Sequence, residues 1–243
     1  MMRVLAVDAG NSRIKWGVWE DEWSTQGITA TMQLDTLEAA WSSLLPAYAV
    51  YASNVAGPHV RSWLDEWAGA RGIEVHWLAS RHEQCGVRNA YREPSQLGTD
   101  RWAGLIAAWR FVRGAALVVN AGTAVTIDTL DFAGVFRGGV ILPGLALMAS
   151  ALVSGTAGLP AAPGAFAVFP DNTADAIASG ALVAVCGAID RMSNALVESG
   201  ATPQIVLSGG AAPAIAARLG VPVLHVPYLV LEGLRIVAEA EQA

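Results

Sequence analysis

Two short stretches carry residue types suited to holding a phosphate and a cation. Residues 5–10 read Leu-Ala-Val-Asp-Ala-Gly and continue through Asn11 and Ser12 to Lys15, while residues 117–122 read Leu-Val-Val-Asn-Ala-Gly and continue into Thr123. Each is an apolar run of strand type that reaches Asp8 or Asn120, turns on a glycine and resumes a β pattern. A glycine at such a turn lets backbone amides approach an anion, because no Cβ stands between them and a phosphate oxygen. Asp8 then stands where it can hold a hydrated cation beside that phosphate. One strand ending in Asp-x-Gly is a common turn signal. Two copies of equal strand length, each followed by a small hydroxyl or amide residue, suggest an internal duplication with a nucleotide between the halves.

A third stretch, Leu97-Gly98-Thr99-Asp100-Arg101, runs into a helix whose Trp102, Leu105, Ile106 and Trp109 recur at helical spacing. From the residues alone, Thr99 or Asp100 can simply cap that helix.

The elements that must position these groups follow from periodicity. Residues 2–8 and 14–20 read as the arms of a hairpin, with a third strand at 27–33, a helix at 36–45 and a strand at 49–53. Asn54 to Gly57 then opens a helix carrying Val60, Trp63, Leu64 and Trp67, and a strand at 73–78 closes the half. Residues 84–97 fit neither period and read as a surface loop, where function tends to concentrate. The second half repeats the plan: a hairpin over 117–129, a strand at 136–142, a helix at 145–153 and a loop to 170. Asn172 or Thr173 caps a long helix to about 196, and a strand at 204–207 runs into Ser208-Gly209-Gly210. A short helix at 213–219, a strand at 221–226 and a closing helix at 229–240 complete it. Dividing the chain into 1–114 and 115–243 gives two similar halves and an α/β protein with a cleft between them.

Bulk properties agree with an enzyme-like body. Of 243 residues, 53% are hydrophobic and 15% charged, too apolar for disorder. A net charge of -6 without a Lys/Arg-rich block argues against nucleic-acid binding. Cys85 and Cys186 show no metal-ligand or CxxC spacing and read as small core residues of a reducing compartment. No secretory signal opens the chain, so the expected location is the cytoplasm. Nothing between Arg137 and Asp171 is charged, but Pro143, Gly144, Gly155, Gly158, Pro160, Pro163 and Gly164 break that stretch into pieces too short to span a membrane.

Taken in order, DAGNSRIK, GTDR, NAGTAVTID, GGVILPG, NTADAIASG and LSGG resemble the motifs of type III pantothenate kinases over nearly the whole chain. These are relatives of the actin, sugar-kinase and Hsp70 fold, and some members bear the name of a Bvg-type accessory factor in transcription. The resemblance implies duplicated ribonuclease H-like (actin-like ATPase) domains, each a mixed five-stranded sheet flanked by helices, with a nucleotide cleft between. It implies transfer of the γ-phosphoryl of ATP to the primary hydroxyl of pantothenate, the first step toward coenzyme A, by a cytoplasmic homodimer that needs Mg2+ and a monovalent cation, K+ or NH4+.

Residue by residue, the resemblance makes Asp100 the general base and places Gly98, Thr99 and Arg101 with it at the substrate. Tyr91 matches a pantothenate-binding tyrosine, and Thr173 a threonine that in many members reaches the substrate from the neighbouring subunit. The amides of Gly10 to Ser12, the Asn11 side chain and Lys15 would face the ATP phosphates, with Asp8 orienting the water shell of Mg2+. Thr123, Gly209 and Gly210 fall where the family contacts ATP. One departure stands out: the family's second turn usually reads DAGTA, its Asp coordinating the monovalent cation, and this chain has Asn120. A kinase for another small hydroxylated substrate, or a non-catalytic nucleotide-binding regulator, is the competing expectation.

Overall fold

Strand β1 (Val4–Ala9) is buried along its whole length and forms the axis of a mixed sheet. The computed structural model describes residues 3–42, 44, 49–156, 158–159 and 162–242. Beside β1 run β2 (Arg13–Trp19), antiparallel, and β4 (Ala49–Asn54), parallel, with β3 (Trp23–Ala30) and β5 (Val75–Trp77) at the edges in the order β3-β2-β1-β4-β5. Leu5, Val7 and Ala9, together with Ile14, Trp16, Val18, Val50 and Ala52, point to one side. There they meet α1 (Leu34–Trp41) and α2 (Pro58–Gly69) in a core that includes Trp41 and Trp67, whose rings lie 4.9 Å apart. Pro58 opens α2, and Gly57 before it turns at φ 101°, a conformation that favours glycine.

Strand alternation sends Asp8, Lys15 and Ser53 to the opposite side. Helix α7 (Leu229–Gln242) packs on β1, β2 and β4, and α3 (Thr99–Val112) lies against α7. A Cβ on Gly233 would stand 2.0 Å from the Ala103 carbonyl oxygen, so glycine lets the two helices touch backbone to backbone. The chain accordingly forms two compact units, one running to Phe111 and resuming at Tyr228, the other Val112–Pro227. A division at 114/115 leaves the closing helix with the second half, whereas it packs on the first sheet.

In the second unit β8 (Ala116–Ala121) pairs antiparallel with β9 (Ala124–Leu130) and parallel with β11 (Gln204–Ser208). Strands β10 (Val135–Pro143) and β12 (Val223–His225) extend these to β12-β11-β8-β9-β10, which repeats the five-strand plan of the first sheet. Helices α4 (Leu145–Gly155), α5 (Thr173–Glu198) and α6 (Ala212–Ala216) accompany it. Among the described residues α5 alone is long and apolar enough to cross a membrane; here it packs on α4, α6, β8 and β9 and buries Leu182, Val185, Ile189 and Leu196 in their core.

Three local expectations change. Residues 84–97, expected as a loop, take in the end of strand β6 (Glu83–Gln84), strand β7 (Val87–Asn89) and a 3-10 turn at Pro94–Gln96. The β6–β7 turn uses Cys85 at φ 51° and Gly86 at φ 81°, and cysteine is no usual signal for that left-handed pair. Strand β3 starts at Trp23 and ends at Ala30, because Trp23 stacks edge-on with Trp19 while Thr31 turns to bind Gly10. Helix α1 begins at Leu34. Met2, Leu45 and Pro160, to which the expectations from sequence extend, lie outside the described residues.

Candidate functional site

At the end of β1, Asp8 is 5% exposed and its strand partner is Lys15, whose Nζ stands 3.8 Å from Oδ2 of Asp8. Gly10 closes the turn by donating its N–H to the Arg13 carbonyl at 3.1 Å. Thr31 braces it from the next strand end: its hydroxyl donates to the Gly10 carbonyl at 2.7 Å and its N–H to the Ser12 carbonyl at 3.1 Å. Asn11, Ser12 and Arg13 are exposed at the tip. Burial pushes the Asp8 carboxyl up to about 7; the Lys15 ammonium acts against this, and the Asp100 carboxylate adds to it.

Asp8 also pairs in register with Ser53 of β4, so Lys15, Asp8 and Ser53 form one row across three strands. The turn after β4 is tied to the same place, since Val55 donates to the Ala9 carbonyl at 2.9 Å and Asn54 bridges Ala56 N and the Gly57 carbonyl. Fully buried Ser53 shares a hydrogen bond of 2.9 Å with the hydroxyl of Thr99, the first residue of α3. Asp100 follows, its Oδ1 accepting the Arg101 N–H at 2.8 Å and satisfying a first-turn donor of α3. A Cβ on Gly98 would stand 2.6 Å from that Oδ1, so glycine leaves room for the carboxylate. Burial raises the Asp100 carboxyl above its usual range, against the Arg101 N–H and guanidinium and the Lys15 ammonium.

Arg101 is 8% exposed; its Nη1 donates to the Tyr91 hydroxyl at 3.4 Å, with the guanidinium carbon 6.0 Å from the ring centre. Buried Asn89 fixes that segment, accepting Tyr91 N–H at 3.0 Å and donating to the Pro94 carbonyl at 3.3 Å. Ser80, also buried, donates to the Leu97 carbonyl at 2.8 Å, just before Gly98. The first unit therefore gathers Asp8, Gly10, Lys15, Gly98, Thr99, Asp100, Arg101 and Tyr91. The sequence reading missed Ser53, Thr31, Asn89 and Ser80, whose bonds leave no local periodic mark.

The second turn is built like the first but one residue shorter, with Asn120 opposite Thr126 where Asp8 faces Lys15. A carboxylate and ammonium are thus replaced by an amide and a hydroxyl. The turn packs tightly on its neighbours: Gly144 donates to the Thr123 carbonyl at 2.9 Å, and a Cβ on Gly209 would stand 2.3 Å from the Ala121 oxygen. Ser208 pairs with Asn120, which brings Gly209 and Gly210 beside Thr123's turn. Asn120 Oδ1 is buried and finds no hydrogen-bond partner among the described residues. Such an oxygen is a fit ligand for a monovalent cation, and its burial otherwise costs about 1–3 kcal/mol. Thr173 begins α5, where Asn172 caps by accepting Asp175 N–H at 3.0 Å. Among the described contacts Thr173 joins neither cluster.

No group of three or more His, Cys, Asp or Glu able to hold a metal occurs among the described residues. Asp8 alone suits a divalent ion that keeps waters and takes its other ligands from phosphates.

Comparison with known proteins gives a consistent picture. The family model described as type III pantothenate kinase matches residues 4–195. A type III pantothenate kinase of Nitrosospira multiformis is 45% identical over 237 residues, 97% of this chain and 90% of that protein. One of Aromatoleum aromaticum is 43% identical over 241 residues, 99% of each. Among solved structures, one titled a Baf family transcriptional activator from Campylobacter jejuni superposes with a TM-score of 0.64 at 22% identity, over 98% of this chain and 100% of that one. A 2-dehydro-3-deoxygalactonokinase protein from Sinorhizobium meliloti gives 0.58 at 19% identity, over 98% and 97%. These likenesses show the fold, that of the actin-like ATPases and sugar kinases.

Proposed function

The chain belongs to the type III pantothenate kinases, enzymes that phosphorylate pantothenate with ATP, and on that footing we propose how its residues divide the work. Asp100 is the general base. As the pantothenate primary hydroxyl oxygen bonds to the γ-phosphorus, its proton passes to Asp100, the bond from that phosphorus to the β-phosphate bridging oxygen breaks, and ADP leaves. The observation that carries this reading is the placement of Asp100: a carboxylate at the head of α3, tied through Thr99 to the strand beside Asp8, with its proton affinity raised by burial. A base whose pKa approaches the working pH accepts a proton most effectively.

Arg101 and Tyr91, already in contact, bind pantothenate with Gly98 and Thr99. Arg101 offers a fixed fork of donors, and the Tyr91 ring gives apolar surface. Thr173 completes the substrate site from a second copy of the chain. Two features of α5 support a homodimer: a Cβ added at Gly180 or at Gly187 would meet no atom within 4 Å, and Val183 between them is 62% exposed. Both leave room for close helix packing.

The Asn11 and Ser12 amides, the Asn11 side chain and Lys15 hold the ATP phosphates, while Gly10, whose own N–H closes the turn on the Arg13 carbonyl, lets them approach; Thr123, Gly209 and Gly210 take the rest of the nucleotide. Asp8 holds Mg2+ through water; bound there, the ion would neutralise charge on the phosphate oxygens. Asn120 ligates the monovalent cation with a neutral oxygen, and so more weakly than a carboxylate. The enzyme acts in the cytoplasm without nucleic acid, in keeping with its net charge of -6. Pantothenate-dependent release of ADP, with 4′-phosphopantothenate identified by phosphorus NMR, tests the reading. Release of ADP without that product, or none at all, contradicts it.

A further inference from the structure

We propose that Ser53 is a positioning residue for phosphoryl transfer, fixing Asp100 relative to Asp8 through the hydroxyl of Thr99. The inference rests on the reading of Asp100 as base and goes beyond it, because Ser53 lies outside every motif that suggested the function.

Three observations carry it. Ser53 is 0% exposed, on the sheet face that carries Lys15 and Asp8 and away from the tryptophan-rich core. An alanine, as at Ala52, would fill such a place in a strand as well, so the hydroxyl serves something other than packing. Its bond runs to Thr99, one residue before Asp100, at 2.9 Å. That bond closes a short path: Asp8 pairs with Ser53 across the β1–β4 ladder, Ser53 holds Thr99, and Asp100 is the next residue.

The path matters because of what lies at its ends. Asp100 is close enough to raise the proton affinity of Asp8, yet no described hydrogen bond joins the two carboxylates directly. Sheet and helix are separate rigid elements, and a first helical turn frays readily. A base must stay within hydrogen-bond reach of the hydroxyl it serves while the phosphates stay on the β1–β2 turn. The Ser53–Thr99 bond is a side-chain tie between β4, the strand paired with β1 at Asp8, and the helix that carries the base. Losing it leaves both groups present but their spacing loose. The signature is a fall in kcat, with the KM for ATP nearly unchanged.

The test is a cycle of Ser53→Ala and Asp100→Asn, with kcat measured by single turnover and folding checked by circular dichroism and thermal melting. Ser53→Ala is expected to lower kcat about tenfold in the wild-type background. It should cause no further loss in the Asp100→Asn background, because a residue that acts through Asp100 has nothing left to position. An equal loss in both backgrounds, or an unchanged kcat in Ser53→Ala, overturns the inference. Should Ser53→Ala not fold, Ser53→Cys keeps the volume with a weaker donor and carries the same comparison. Full activity in Asp100→Asn alone is a different failure, one that removes the base itself.

Discussion

Lys15 Nζ lies 3.8 Å from Asp8 Oδ2 on the directly opposed strand, and this partner only partly offsets the burial of the carboxylate. Asp8 consequently has a carboxyl raised from 3.8 to about 7. Between those two values the folded chain keeps a proton that the unfolded chain has released, so folding stability falls as pH rises through that window and levels off above it.

Asp8→Asn removes that slope. Melted without nucleotide or Mg2+, the variant should match the wild type near pH 4 and exceed it by pH 8, by on the order of 4 kcal/mol if the whole shift is recovered. Parallel melting curves from pH 4 to 8 would show that Asp8 does not carry the strain of burial.

Replacing Lys15 with Met keeps the length of the side chain and deletes its charge. If Lys15 faces the phosphates, the KM for ATP rises about tenfold or more while the KM for pantothenate changes little, the usual scale for a lost charge-assisted bond. An unchanged ATP dependence would make Lys15 a solvated strand residue.

Much of this site is legible in the sequence because its pieces are local. The Asp8-to-Lys15 hairpin announces itself by an apolar strand, a glycine and a resumed β pattern, and GTDR stands at the head of a helix with a clear apolar period. What stayed hidden depends on long-range contacts. Ser53 and Thr99 are 46 positions apart, and Thr31 and Ser80 reach backbone carbonyls 21 and 17 positions away, while Asn89 ties backbone groups within its own aperiodic loop. Strands β6 and β7, at two and three residues, are too short for alternation to register. The closing helix packs on β1, β2 and β4 and meets α3 where Gly233 fits against Ala103, a complementarity that neither residue advertises alone.

Asn120→Asp restores a full negative charge at the second turn. Potassium or ammonium should then half-saturate activity at a roughly tenfold lower concentration. The melting temperature should also respond more strongly to those ions than in the wild type, as binding to the folded state requires. The same ion response in both proteins would place the cation elsewhere.

Gly209 and Gly210 differ sharply although adjacent. Gly209 sits at φ 96° with the Ala121 carbonyl oxygen 2.3 Å from where a Cβ would go, whereas nothing lies within 4 Å of such a carbon on Gly210. Gly209→Ala should cost about 2–3 kcal/mol in denaturant unfolding and Gly210→Ala under about 1 kcal/mol. Equal losses would contradict the close approach.

In the proposed reaction Asp100 takes the proton of the pantothenate hydroxyl. Single-turnover phosphoryl transfer by Asp100→Asn, at saturating ATP and pantothenate, tests it most directly. A base of this kind contributes about 10²- to 10⁴-fold, so a loss of that size is expected with both substrates still bound. A transfer rate within a fewfold of the wild type would contradict it.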